Sequence, residues 1–319
     1  MVNFKDPLKI VFFGTTEFAR FCLKELFSNG FIIKAVVTAP DRKGGRGNRY
    51  RKSAVKDYAE NNGFLIFQPE NLKSIEFLKD LRNIGADTFV VVAFRMLPKV
   101  VWSIPEFGTI NLHASLLPNY RGAAPINWVL INGEELTGVT TFLINEQIDT
   151  GLILMQKEIS IDKNDNAETL NNKLLNLGAP LMIKTLLNHK KKIIVPKVQK
   201  PNGNERSAPK LTKDNTMIDW ENTLEQIYNF VRGLNPHPGA WTNLRANNLL
   251  QKIKIFQAEV IYETHSYQTN FLLIKDNQIY ITHKQGFLNC IEIQLPNKRR
   301  MNGRALLNGY KFSTNTTVL

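Results

Sequence analysis

The sequence predicts an α/β protein, a mostly parallel sheet with helices on its faces, followed by a smaller β-barrel. Three observations predict it. Strand, helix and strand succeed one another with short connections from residue 9 onward. The run Asp87–Ala93 (DTFVVVA) is apolar on both faces, as a strand inside a covered parallel sheet must be. After residue 207 the periodicity becomes mostly two-fold, the pattern of short barrel strands.

Lys9–Phe13 is the first predicted strand and runs into Gly14; Glu17–Phe27 has helical spacing, and Phe31–Thr38 is β-branched and apolar again. Lys56–Asn61 reads as a helix, Phe64–Phe67 as a short strand and Ser74–Asn83 as a helix. Thr109–His113 is a further strand, followed by the non-repetitive loop SLLPNYRG. A helix is expected over Ala123–Ile131, strands over Val139–Ile144 and Leu152–Ile161, and a long amphipathic helix over Ala167–Leu187. Lys190–Ser207 is rich in Lys, Pro, Asn and Gly, the composition of a linker. Beyond it come a helix near Glu221–Arg232 and strands at Lys252–Ile261, Phe271–Ile274, Gln278–Thr282 and Asn289–Gln294. The expected division is a first domain over residues 1–190, a linker over 191–207 and a second domain over 208–319.

The 319 residues are 43% hydrophobic, enough for sizeable cores, and 19 glycines with 14 prolines argue against a fibrous or disordered chain. The longest apolar run, Phe89–Phe94, falls far short of the ~18 residues that span a bilayer. The start MVNFKDPLKI lacks the apolar core of a secretory signal. Two cysteines, Cys22 and Cys290, cannot build a disulfide framework or a cysteine-only zinc site. A soluble cytoplasmic protein with no membrane partner is expected.

Lys plus Arg number 41 against 28 Asp plus Glu, a net of +13, which favours a polyanionic partner, nucleic acid first. Seven bases (Arg42, Lys43, Arg46, Arg49, Arg51, Lys52 and Lys56) lie in the glycine-containing stretch between Asp41 and Asp57. A second concentration, Lys298, Arg299, Arg300 and Arg304, lies near the end. A single charge run is as often a solvated surface; two separated patches on one chain point to RNA or DNA.

Several motifs fail. The turn GTTEFA has one glycine where a dinucleotide fingerprint needs three, which disfavours a nicotinamide oxidoreductase. KGGRGN lacks the ending of a phosphate-binding P-loop. Asp149-Thr150-Gly151 is shared with aspartic proteases, but no second copy supplies the partner carboxylate. The five histidines show no metal-ligand spacing, and no metal is expected.

Asn111-Leu112-His113 survives. Alternation along the strand projects Asn111 and His113 from one face, at the carboxyl end where open α/β sheets bind ligands. An amide donor beside an imidazole suits acyl transfer through a tetrahedral intermediate. Taken alone, N-x-H is more often a capping Asn beside a structural His. Here it is followed at once by S-L-L-P-N-Y-R-G-A-A-P (Ser115–Pro125) and later by Asp149-Thr150-Gly151. The linked set resembles the signature of the folate-dependent formyltransferases. Within that family the chain is most similar to the methionyl-tRNA formyltransferases, through KIVFFGTTEFA, APDRKGGRGNRYRKSAVK, APKLTKDNTMIDW, NPHPGAW and LPNKRRMNG, which together cover nearly the whole chain.

The resemblance implies a Rossmann-like core and an OB-like C-terminal barrel. It implies transfer of the formyl group of 10-formyltetrahydrofolate to the α-amino group of methionyl initiator tRNA, with Asn111, His113 and Asp149 as the catalytic trio. Asn111 and a protonated His113 would donate to the formyl oxygen; Asp149 would orient His113 and receive a proton from the amine. Folate would lie against Phe94, Arg95, Met96 and Leu97, against Ser115, Leu116, Leu117 and Pro118, and against Ile144. Arg42, Lys43, Arg46, Lys210, Lys213, Lys298, Arg299, Arg300 and Arg304 are the candidates for tRNA contact. A glycine-flanked basic loop can order against phosphates, and a monomer is expected. The chain departs from the family pattern at Phe94-Arg95, where Tyr-Gly is usual, at Gln147, where glycine is usual, and at Ala54, where proline is usual. Two other functions fit part of this pattern: a sugar-nucleotide N-formyltransferase, which has no evident use for the basic loop, and a non-catalytic RNA-binding protein on an inert core.

Overall fold

The computed structural model describes residues 7–44, 49–246 and 249–319. They form two compact units: residues up to 122 with 136–160 and 171–207, and residues 123–135 with 161–170 and 208–319.

In the first unit, β1 (Lys9–Gly14), β2 (Ile32–Val37), β3 (Ile66–Phe67), β4 (Thr88–Val92), β5 (Thr109–His113), β6 (Leu136–Leu143) and β7 (Ile153–Ser160) form one sheet in the order β7-β6-β5-β4-β1-β2-β3. Five strands are parallel, β6 runs antiparallel to β5, and β7 antiparallel to β6. Every residue of β4 is buried, as its unbroken apolar run demands. Phe12, Phe13, Phe89 and Phe142 are among the largest fully buried side chains, and removing each from water contributes about 1.5–3 kcal/mol.

The helix Glu17–Ser28 follows β1 after Thr16, whose hydroxyl accepts the Ala19 N–H at 3.4 Å. It turns Phe18, Ala19, Cys22, Leu23 and Leu26 inward. The order reverses at β1, which has β2 on one side and β4 on the other. Such a switch opens a crevice at the carboxyl ends of the strands.

Two features of the first unit differ from the sequence expectation. Arg42–Gly44 pairs antiparallel with Arg49–Arg51, a hairpin in a stretch whose basic and glycine residues show no apolar alternation. The stretch read as a linker is also tied down: Lys197 and Ile153 exchange two backbone hydrogen bonds, each 2.8 Å.

In the second unit, β8 (Ala240–Ala246), β9 (Leu249–Tyr262), β10 (Leu272–Lys275), β11 (Gln278–His283), β12 (Gly286–Gln294), β13 (Met301–Asn302) and β14 (Thr317–Val318) form an antiparallel sheet, ordered β10-β11-β12-β9-β8-β14 with β13 beside β12. Hydrogen bonds from Leu272 N to Thr316 O (2.9 Å) and from Val318 N to Asn270 O (2.8 Å) join its outer strands, so the sheet closes on itself. The helix Leu224–Leu234 opens with a capping box between Thr223 and Gln226 and adds Leu224, Ile227, Val231 and Leu234 to the core. β8 was not foreseen, because its first three residues, Ala240-Trp241-Thr242, are all buried and break the two-fold alternation.

Candidate active site

β5 carries the first two groups of the site. Asn111 lies between Val91 on β4 and Phe142 on β6, and His113 opposite Thr140 on β6. Leu112 faces the other way, against the helix Ala167–Lys190. A Cβ on Gly178 of that helix would stand 2.9 Å from Leu112 Cδ2, so glycine permits the close approach that seats β5. Asn111 is half-buried, and among the described residues its carboxamide makes no hydrogen bond. A polar group in that state is available to a ligand.

His113 is 7% exposed. Its Nε2 lies 2.8 Å from the Tyr120 carbonyl oxygen, which can only accept, so Nε2 carries hydrogen and donates. That leaves Nδ1 facing the Asp149 carboxylate, with Oδ2 at 3.7 Å. This exceeds hydrogen-bond length; the two groups form an ion pair when Nδ1 is protonated. The carbonyl of Tyr120, rather than Asp149, is the hydrogen-bond partner that orients the ring.

Asp149 closes the triangle from a turn after β6. Its Oδ2 accepts the Gly122 N–H at 2.9 Å, and its backbone is left-handed at φ 54°. Two residues on in the turn is Gly151, where a Cβ would fall 1.6 Å from the Leu143 carbonyl oxygen. No side chain fits there. His113 and Asp149 thus meet at the carboxyl end of β5, although 36 positions separate them, and Asn111 stands two residues before His113 on the same strand.

The loop Ser115–Pro118 wraps the site's edge. Thr140 Oγ1 donates to Ser115 O (2.7 Å) and accepts from Leu117 N (3.1 Å), while Gln156 Nε2 donates to Leu117 O (2.9 Å). The buried Ser115 hydroxyl donates to Asn119 O at 2.6 Å. Leu117 packs with Phe142, Ile153 and Ile144, and Ile144 also joins the core that holds Leu97 and Phe94. Leu116 and Pro118 are half-buried at the rim.

After β4 the chain turns at Ala93 (φ 46°) into Phe94, whose ring meets Phe13 edge-on at 5.7 Å. Arg95 donates to the carbonyl oxygens of Pro69 and Glu70, so the cation that replaces the family's glycine ties this loop to its neighbour. Met96 is 71% exposed.

The basic candidates divide. In the first unit Arg42 is exposed; Arg46 and the side chain of Lys43 lie outside the described residues. At the hairpin's root, hydrogen bonds from Lys56 (2.6 Å) and Gln68 (2.9 Å) hold the Asp41 carboxyl below its usual range. In the second unit Lys210, Lys213, Lys298, Arg299 and Arg304 are exposed, and Arg300 pairs with Glu292 and lies over the Phe256 ring at 4.5 Å. Lys252, which was not among the candidates, places its Nζ 3.7 Å from the Trp241 ring centroid. Burial, then the charges of Lys213 and Lys254, lower its pKa.

Burial pushes the Cys22 thiol up and that of Cys290 to about 12, so neither is a nucleophile. Among the described residues no group of three or more His, Cys, Asp or Glu is placed to hold a metal ion, and no helix is long and apolar enough to cross a membrane.

The family models for "Formyl transferase" and "Formyl transferase, C-terminal domain" match residues 8–186 and 210–311. The chain belongs to the formyl transferase family. This formyl transferase is 45% identical over 313 residues to the methionyl-tRNA formyltransferase of Flavobacterium johnsoniae, covering 98% of this chain and 99% of that one. The corresponding protein of Bacteroides thetaiotaomicron is 42% identical over 315 residues, with 97% and 98% covered. Among solved structures, a sugar 3N-formyl transferase superposes with a TM-score of 0.63 at 22% identity, covering 92% of this chain and 100% of that one. The N-formyltransferase of Helicobacter canadensis gives 0.64 at 22% identity, with 89% and 98% covered. The structural neighbours share the fold of this formyl transferase; the curated relatives share its sequence from end to end.

Proposed function

We propose that the chain transfers the formyl group of 10-formyltetrahydrofolate to the α-amino group of methionyl initiator tRNA, giving formylmethionyl-tRNA and tetrahydrofolate. The observation that carries this is the 45% identity to a methionyl-tRNA formyltransferase across both regions of the chain. The catalytic domain is residues 1–190, joined through 191–207 to a tRNA-binding domain, 208–319. The chain works as a monomer in the cytoplasm.

The amine attacks the formyl carbon, and negative charge grows on the formyl oxygen. Asn111 supplies a donor with no other partner among the described residues, and one such donor is worth about 3–4 kcal/mol of barrier. Tyr120 holds the His113 ring so that Nδ1 faces Asp149. When Nδ1 carries a proton, it would donate to the developing oxyanion while the Asp149 carboxylate offsets the ring's charge. Asp149, anchored by the Gly122 N–H, takes the proton that the attacking amine loses, directly or through water. The intermediate then collapses: the bond between the formyl carbon and the folate nitrogen that bore it breaks, and that proton passes to this nitrogen as tetrahydrofolate leaves. The pterin would lie against Phe94 and Ile144, which are half-buried over the core residues Leu97 and Leu117.

The test is acceptor choice. With 10-formyltetrahydrofolate as donor, charged initiator tRNA is formylated and amino-sugar nucleotides are not. Formylation of an amino-sugar nucleotide alone assigns the chain to the sugar enzymes; tRNA binding with no turnover on either acceptor makes it an RNA-binding protein.

A further inference from the structure

The stretch that reads as a linker reaches into the site. Two residues beyond the Lys197–Ile153 pairing stands Gln199, 6% exposed. Its Nε2 donates to the carbonyl oxygens of Asp149 and Gly151, both at 2.9 Å. Its Oε1 accepts from Arg121 Nε at 3.1 Å and Nη2 at 2.5 Å. A guanidinium only donates and a carbonyl only accepts, so chemistry allows one orientation of this amide. Both hydrogens of its NH2 group are used, and its oxygen receives two.

These contacts complete a ring. Arg121 precedes Gly122, whose N–H holds the Asp149 carboxylate; Arg121 grips Gln199; Gln199 grips the backbone of Asp149. The same aspartate is therefore held at its side chain and at its carbonyl. Its left-handed backbone, a conformation less favourable for a side-chain-bearing residue than for glycine, is held by these contacts.

We propose that Gln199 is a positioning residue for formyl transfer: it fixes the Asp149 turn so that the carboxylate faces His113 Nδ1, and Arg121 fixes Gln199. This rests on the assignment of Asp149 to the proposed trio. A catalytic group displaced by about 1 Å costs on the order of 100-fold in rate, so the effect belongs in kcat and not in substrate affinity.

The test is a double-mutant cycle of Gln199→Glu and Asp149→Asn, read as kcat and KM for methionyl-tRNA. The glutamate keeps the size and the Arg121 contact but turns acceptors toward two carbonyls. Gln199→Ala, with a thermal melt of each variant, separates misfolding from misplacement. The expected result is a loss of roughly 10- to 100-fold in kcat, KM within about twofold, and no further loss when Gln199→Glu is added to Asp149→Asn. Parent-like kcat in both Gln199 variants, or losses that multiply in the double variant, overturn the proposal while Asp149→Asn remains impaired. If Asp149→Asn itself turns over at the parent rate, the assignment of Asp149 fails, and the role of Gln199 with it.

Discussion

The candidate site in the first unit and the exposed basic residues of the second hold their charges in opposite ways. His113 is 7% exposed and the Asp149 side chain 12%, and each has a dedicated hydrogen-bond partner in Tyr120 or Gly122. Lys210, Lys213, Lys298, Arg299 and Arg304 lie open to solvent. A group that moves a proton must be held to a few tenths of an ångström, and only surrounding structure can hold it. A group that attracts a polyanion acts through summed charge, which falls off over a Debye length and tolerates imprecise placement. On the proposed assignment, the first unit would concentrate its function in few residues, and the second would spread it over many.

That contrast ranks the consequences of substitution. Asn111→Ala removes the donor proposed for the oxyanion and lowers kcat by about 100- to 1,000-fold. Steady-state kinetics at saturating folate would show it, with KM for tRNA unchanged. A parent-like kcat would remove Asn111 from the trio. Gly151→Ala forces a Cβ into the Leu143 carbonyl. It should destabilise the first unit by about 2–3 kcal/mol in urea unfolding and lower activity as well. In the second unit, Lys210→Ala with Lys213→Ala raises KM for tRNA severalfold and leaves kcat alone. For each phosphate that is no longer neutralised, the slope of log affinity against log salt flattens by about 0.7–0.9. A kcat effect without a salt effect would reverse the assignment of roles.

The smallest effect is at the root of the basic hairpin. Lys56 and Gln68 depress the Asp41 carboxyl, so the folded value lies below the unfolded one. The stabilisation is present above the unfolded value and fades as pH falls through the folded value. Asp41→Asn should thus cost less than ~1 kcal/mol at neutral pH. The difference from the parent in urea midpoint should narrow as pH falls below the ordinary carboxylate range. A difference that widens in acid would show another group at work.

Much of this was legible in the sequence, and the rest shows where local pattern stops. β5 runs over Thr109–His113, as its alternation indicated, and β4 is buried throughout, as its apolar run required. The Arg42–Gly44 hairpin was not visible, because no apolar face marks its register. Asn111 and His113 could be paired by strand period alone. Asp149 joined them only through family resemblance, since no local rule spans the 36 positions between it and His113. Tyr120, Arg121 and Gly122 stood inside a recognisable motif, yet two of their contributions are backbone groups, which a sequence does not announce. Gln199 gave no signal: it sits among lysines, prolines and asparagines, and its partners lie 48 to 78 positions away.

The most direct trial of the proposed convergence on one carbonyl is the rate of formyl transfer by His113→Ala in a single turnover, with methionyl-tRNA and 10-formyltetrahydrofolate both saturating. The predicted result is a rate about 100- to 1,000-fold below the parent, with tRNA affinity unchanged because the basic surface is intact. A variant that transfers at the parent rate would contradict it.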